Sequence, residues 1–80
     1  MTLDKLIVGS SAEIIGIDES NPNLSRLSEL GMIAGQHVKL LRKAPLGDPL
    51  QIRIMNYELC LKKNDAAGIR VHSIEEKAPA

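Results

Sequence analysis

Eighty residues suffice for one domain, near the lower limit at which an apolar core holds a fold without disulfides or metal. Apolar residues make up 44% of the chain, but with no Trp, no Phe and a single Tyr the core must be aliphatic. Ten basic residues balance ten acidic ones, which argues against nucleic acid as a partner, because phosphate recognition draws on a clustered positive excess and often on stacking aromatics.

The single cysteine, Cys60, has no internal disulfide partner and fits a reducing compartment. The opening "MTLDKLIVGSS" places an acidic residue early and carries too short an apolar run for a signal peptide. No stretch approaches the ~20 apolar residues of a membrane span. The expected place is therefore the cytoplasm, with no direct membrane insertion. One domain is expected over residues 1–74, and the closing "EEKAPA" (75–80) is expected to fray.

In chain order, "AEIIGI" (12–17) is rich in β-formers, with Ile14 and Ile15 on opposite faces, and predicts a strand covered at least partly on both sides. "DESNPN" (18–23) is a polar break in which Asn21 suits a helix cap and Pro22 the first helical position. Leu24, Leu27 and Leu30 then repeat every third residue and predict a helix over about 22–30, ended by Gly31. "HVKLLRK" (37–43) predicts a strand. "LQIRIM" (50–55) and "YELCLK" (57–62) form a hairpin if Met55-Asn56 is its two-residue turn. That register pairs Ile54 with Tyr57, Arg53 with Glu58, Ile52 with Leu59, Gln51 with Cys60 and Leu50 with Leu61. It keeps the apolar pairs on one face and forms an ion pair on the other, whereas a slip of one residue destroys both. Asn56 tolerates the positive φ such a turn needs. "KKNDAAG" (62–68) predicts one helical turn, and "IRVHSI" (69–74) a last strand with Ile69 and Val71 inward. Five short strands without long crossovers predict a small antiparallel barrel, closed so as to leave no edges.

Catalysis finds no carrier in this pattern. Cys60 lies between charged neighbours on an outward strand face, and neither His37 nor His72 stands at a zinc-like spacing from it. A metal role for either histidine needs a carboxylate partner that sequence cannot show, so no cofactor is expected. Asp18-Glu19 and Glu75-Glu76 read as solvated pairs. "GMIAG" (31–35) has glycines four apart, but it is neither a membrane dimer motif nor a phosphate loop.

The unusual stretch is "APLGDP" (44–49). Pro45 presets a turn, Gly47 takes a φ that other residues avoid, Asp48 accepts backbone N–H bonds across the loop, and Pro49 starts the next strand extended. Leu46 at its apex either folds back onto the core or projects. A stiff loop holding out a leucine is a sensible binding device, since rigidity lowers the entropy lost on docking.

The run "RLSELGMIAGQHVKLLRKAPLGDPLQIRIMNYELCLKKNDAAGIRV" resembles the FeoA family, small cytosolic partners of the FeoB ferrous-iron transporter. Arg26-Leu27 before "LGM", the second glycine Gly35, "APLGDP", the "YxLxLKK" strand and "DAAGIRV" follow in the family's order and spacing, and the likeness covers roughly positions 3–74. Ala34, Asn56 and Cys60 depart mildly, standing where proline, glycine and serine are common.

The resemblance implies an SH3-like barrel and a non-enzymatic accessory role in ferrous iron uptake, in which the protein binds and regulates the cytosolic GTP-binding region of FeoB. The expected partner contacts are Leu46 and Pro45 on the loop, Arg42 at its base, and Leu24, Leu27 and Met32 on and after the helix. Gly31, Gly35, Gly47, Asp48 and Pro49 are expected to shape the turns. Three alternatives remain at this stage. The fold is shared by the C-terminal domain of DtxR-type iron-dependent regulators, a weak metal-binding protein needs a ligand cluster, and a GTPase-activating role needs an exposed arginine among Arg26, Arg42, Arg53 and Arg70.

Overall fold

The computed structural model describes residues 1–74, so the expected tail and the Glu75-Glu76 pair lie outside the described residues. Five strands, β1 (Ser11–Ile17), β2 (His37–Lys43), β3 (Leu50–Ile54), β4 (Tyr57–Leu61) and β5 (Ile69–Ile74), form one antiparallel sheet in the order β4-β3-β2-β1-β5. Helix α1 spans Pro22–Ser28, α2 is the single turn Lys63–Ala66, and a 3₁₀ turn covers Leu3–Lys5. The hairpin register from Leu50↔Leu61 to Ile54↔Tyr57 is the one that alternation demanded.

Two bulges curl the sheet. Between Ile14 and Gly16 strand β1 carries one residue more than β5, and between Leu40 and Arg42 strand β2 carries one more than β3. Each extra residue bends its strand and increases local twist. Ile15, the extra residue of the first bulge, is 53% exposed beside a fully buried Ile14, so the outer face of β1 is covered only in part. Among the described residues no ladder joins β4 to β5, so the two ends of the sheet do not close by strand pairing. Helix α1 runs along that seam. Its Leu24 Cδ1 would lie 2.5 Å from a Cβ on Gly68, just before β5, and the Gly31 that follows it meets Met55 at the β3–β4 turn.

Helix α1 starts and stops by local chemistry. The Asn21 side chain accepts the Asn23 N–H at 2.9 Å, and Pro22 occupies the position where a missing donor costs nothing. At the other end Met32 N–H reaches Leu27 O and Gly31 N–H reaches Ser28 O, the paired bonds of a Schellman motif with Gly31 at φ 98°. A Cβ on Gly31 would also fall 2.8 Å from Met55 Sδ. The tight turn places its positive φ on Met55 (55°), not on Asn56 as the sequence suggested. A positive φ at the first turn position alone matches the II′ hand, which suits the right-handed twist of the flanking strands.

The core is aliphatic throughout. Ile14, Leu24, Met32, Leu40, Leu50, Ile52, Ile54 and Ile69 are all at most 1% exposed. Leu3 and Leu6 join them from the N-terminal turn, a segment too short to show a period in the sequence. That segment also guards the β5 edge, through a Thr2–Arg70 bridge and a Val71 N–H bond to Met1 O. Of the leucine stripe on α1, Leu24 is fully buried, Leu27 is half-buried and Leu30 is 48% exposed.

Candidate functional site

The loop between β2 and β3 is held from three directions. Gly47 N–H donates to Ala44 O at 2.7 Å, closing a β-turn with Pro45 and Leu46 at its centre, and Ala44 N–H donates to Pro49 O at 3.0 Å. Gly47 takes φ 84°, and the Asp48–Pro49 peptide is cis. Proline at the second turn position presets the φ that the turn requires. The third tie is long-range. Asp48 Oδ1 accepts the Lys63 N–H at 2.9 Å. Lys63 opens α2, whose flanking Lys62 supplies no side-chain cap of its own. Asp48 therefore caps α2 from fifteen residues away, instead of bonding within its own loop as the sequence had suggested.

The outcome for Leu46 is plain: it projects, 95% exposed, and its side chain contributes almost nothing to the core. Pro45 is exposed beside it, and Arg42 lies at the foot of the loop. Arg42 Nε donates to Gln51 Oε1 at 2.6 Å, Gln51 Nε2 to Glu58 Oε1 at 2.7 Å, and Arg53 Nη2 to Glu58 Oε2 at 2.9 Å. This chain of bonds crosses β2, β3 and β4 on the outer face. The Arg53 hydrogen bond first, and the Gln51 bond after it, hold the Glu58 carboxyl below its ordinary pKa. A shallow cleft lined by Arg42, Ala44, Pro45, Pro49, Gln51 and Cys60 flanks the loop.

Two expected contacts are corrected. Leu24 and Met32 are 0% exposed, because the helix and the chain leaving it press these side chains into the barrel, and neither can meet a partner without unfolding. Leu27 is half-buried against the core, and the exposed member of the stripe is Leu30. Gly31 and Gly35 both sit at positive φ and shape the chain between α1 and β2.

The remaining candidates are scattered. Cys60 is exposed on β4. Asp18 accepts the Ser20 hydroxyl at 2.6 Å and the Ser20 N–H at 3.1 Å, which lower its pKa and mark a surface turn. Among the four arginines, Arg53 and Arg42 are engaged as described, and the Arg70 guanidinium lies over Gly16. Arg26 is exposed, with no ion-pair partner among the described residues. As the side chains stand, no three His, Cys, Asp or Glu among the described residues converge on one point. No helix of the described residues is long and apolar enough to cross a membrane.

Comparison with known proteins agrees with this architecture. The model of the FeoA domain matches residues 1–73. A Porphyromonas gingivalis protein described as an Fe(2+) transport protein A/Fe(2+) transporter FeoB fusion is 35% identical over 78 residues, covering 98% of this chain and 9% of that protein. This chain thus spans about a tenth of that relative's length. The solution structure of a FeoA-like protein from Clostridium acetobutylicum superposes with a TM-score of 0.88 at 28% identity, over 100% of this chain and 93% of that one. The crystal structure of Stenotrophomonas maltophilia FeoA complexed with zinc, described as a prokaryotic SH3 domain protein, matches with a TM-score of 0.79 at 29% identity, over 90% of this chain and 89% of the other. Family match, sequence relative and SH3-like barrel agree, and the chain belongs to the FeoA domain family.

Proposed function

We propose that this protein is a cytosolic accessory factor of ferrous iron uptake that docks, through its 44–49 loop, on the cytosolic GTP-binding region of a FeoB transporter. The observation that carries the reading is Leu46, a large apolar side chain left 95% exposed at the apex of a loop braced by two backbone bonds and the Asp48 tie. A free leucine at a stiff apex loses little entropy on docking and gains apolar burial. The FeoA–FeoB fusion in a 35% identical relative supports a partnership between the two kinds of chain. The role is one of binding: the exposed Cys60 thiol that lines the cleft has no histidine beside it there, and the feature the loop presents is an apolar side chain. Arg42 and Leu27 flank the loop and the helix as further contacts. The test is a titration of the labelled protein with the cytosolic region of FeoB from the same genome. A saturable complex that weakens with Leu46→Asp supports the reading, and absence of any complex overturns it.

A further inference from the structure

Neither histidine has a carboxylate beside it in the sequence, and the sheet supplies one. Glu13 on β1 pairs with His37 on β2 and with His72 on β5. Directly opposed residues share a face, so the row His37–Glu13–His72 crosses three adjacent strands on the solvent side, with all three residues exposed. The hydrogen-bond pattern fixes the spacing. Ile14 N–H donates to Gln36 O, so Glu13↔His37 is a non-hydrogen-bonded pair, the type in which Cα atoms stand about 4.5 Å apart and side chains come closest. Glu13↔His72 is then the wider pair, with Cα atoms about 5.5 Å apart.

We infer that this row is a site for one divalent first-row transition cation, held by the imidazoles of His37 and His72 and the carboxylate of Glu13. His37 Nε2 stands 3.7 Å from Glu13 Oε1, too far for a hydrogen bond. Two ligand atoms each about 2.1 Å from a tetrahedral ion lie about 3.4 Å apart, so this pair is within a few tenths of an ångström of a chelating separation. His72 does not complete the set in its present orientation. It is an exposed side chain directly opposite Glu13 on the neighbouring strand, so binding of the ion requires it to turn toward Glu13. Imidazole and carboxylate donors select zinc, iron(II) or cobalt over calcium or magnesium, and three protein ligands leave coordination positions open to water.

The test uses the tag-free chain with zinc and cobalt chlorides. Calorimetry should show one saturable ion per chain. Cobalt should perturb the NMR signals of His37, Glu13 and His72 together and leave Cys60 untouched. His72→Ala and Glu13→Gln, both at exposed positions, should keep the fold and each weaken binding at least tenfold, while Cys60→Ser changes nothing. Unchanged affinity in both His72→Ala and Glu13→Gln overturns the site, as does failure to saturate at millimolar zinc. One ion per two chains, with dimerisation seen by sedimentation, also overturns it, because the ion then belongs to an interface between copies.

Discussion

Leu46→Asp and Gly47→Val, neighbours on one loop, should fail in opposite ways. Fully burying a leucine stabilises by about 1.5–3 kcal/mol. At 95% exposure only about a twentieth of that is realised, on the order of 0.1 kcal/mol. Leu46→Asp should therefore unfold within about 0.5 kcal/mol of wild type, the range of ordinary surface changes. Docking reverses the arithmetic. If the leucine is covered by the partner, its loss should cost at least about 1.4 kcal/mol, a tenfold rise in Kd. Gly47→Val adds a β-branched side chain at φ 84°, where a Cβ would touch nothing within 4 Å. The cost is then conformational alone, about 1–3 kcal/mol, or roughly 4–8 °C of Tm for each kcal/mol in a domain of this size. Thermal melts and titration against the FeoB cytosolic region separate the two effects. Equal destabilisation by both variants would show Leu46 to be structural. A folded Leu46→Asp that binds like wild type would remove the loop from the contact surface.

Other substitutions probe the frame. Ile52→Ala, at a fully buried position, should cost about 2–4 kcal/mol by chemical denaturation, and Leu59→Ala, opposite it but half-buried, should cost less. Arg53→Ala should move the midpoint far less than Ile52→Ala, and the reverse order would mean that the two hairpin faces had been assigned backwards. Asp48→Ala should cost about 1 kcal/mol as a lost helix cap, and amide exchange should rise at Lys63, a change that a mere loss of surface charge would not produce. Glu58 titrates below its ordinary value in the folded state, so its contribution is present above the unfolded pKa and fades as pH falls through the folded one. Glu58→Gln should accordingly flatten the acid limb of the stability–pH curve relative to wild type. An unchanged acid limb would show that the Arg53–Glu58 bond carries no stability.

How much of this was legible in the sequence depended on the range of each interaction. The hairpin was readable to the residue because a period of two leaves one register that keeps Ile52 and Ile54 inward and pairs Arg53 with Glu58. Asn21 and Pro22 announced α1 because capping is settled within a turn of chain. The 3₁₀ turn at Leu3–Lys5 is too short to show a period, so the burial of Leu3 and Leu6 was invisible. Leu24 looked like a contact because apolar spacing marks a stripe without saying how much of it the barrel consumes, and Met32, just beyond that stripe, is taken inside with it. The helix lies in the seam that strand pairing leaves open, and that placement takes Leu24 inside while leaving Leu30 out. The Asp48–Lys63 tie and the His37–Glu13–His72 row are both made by folding, across gaps that no local pattern spans.

The same placement explains how a domain this small can keep an apolar residue at full exposure. With about 60% of its unfolded surface buried at best, a domain of this size has little stability in reserve and cannot carry a large apolar patch without risk of self-association. Here the exposed apolar residues are divided. Leu46 is the one large apolar residue on its loop, between Pro45 and Gly47, while Ile7 with Val8, Ile15 and Ile33 lie on other segments. Aggregation needs contiguous apolar area, whereas a single anchor needs only a pocket in the right partner and a backbone that holds it still. Pro45, Gly47 and Asp48 meet the second requirement by three unrelated means: a fixed φ, a left-handed residue and a carboxylate bound to the next helix. The stiffness is therefore spread over the loop and α2, and the side chain of Leu46 itself takes no part in it.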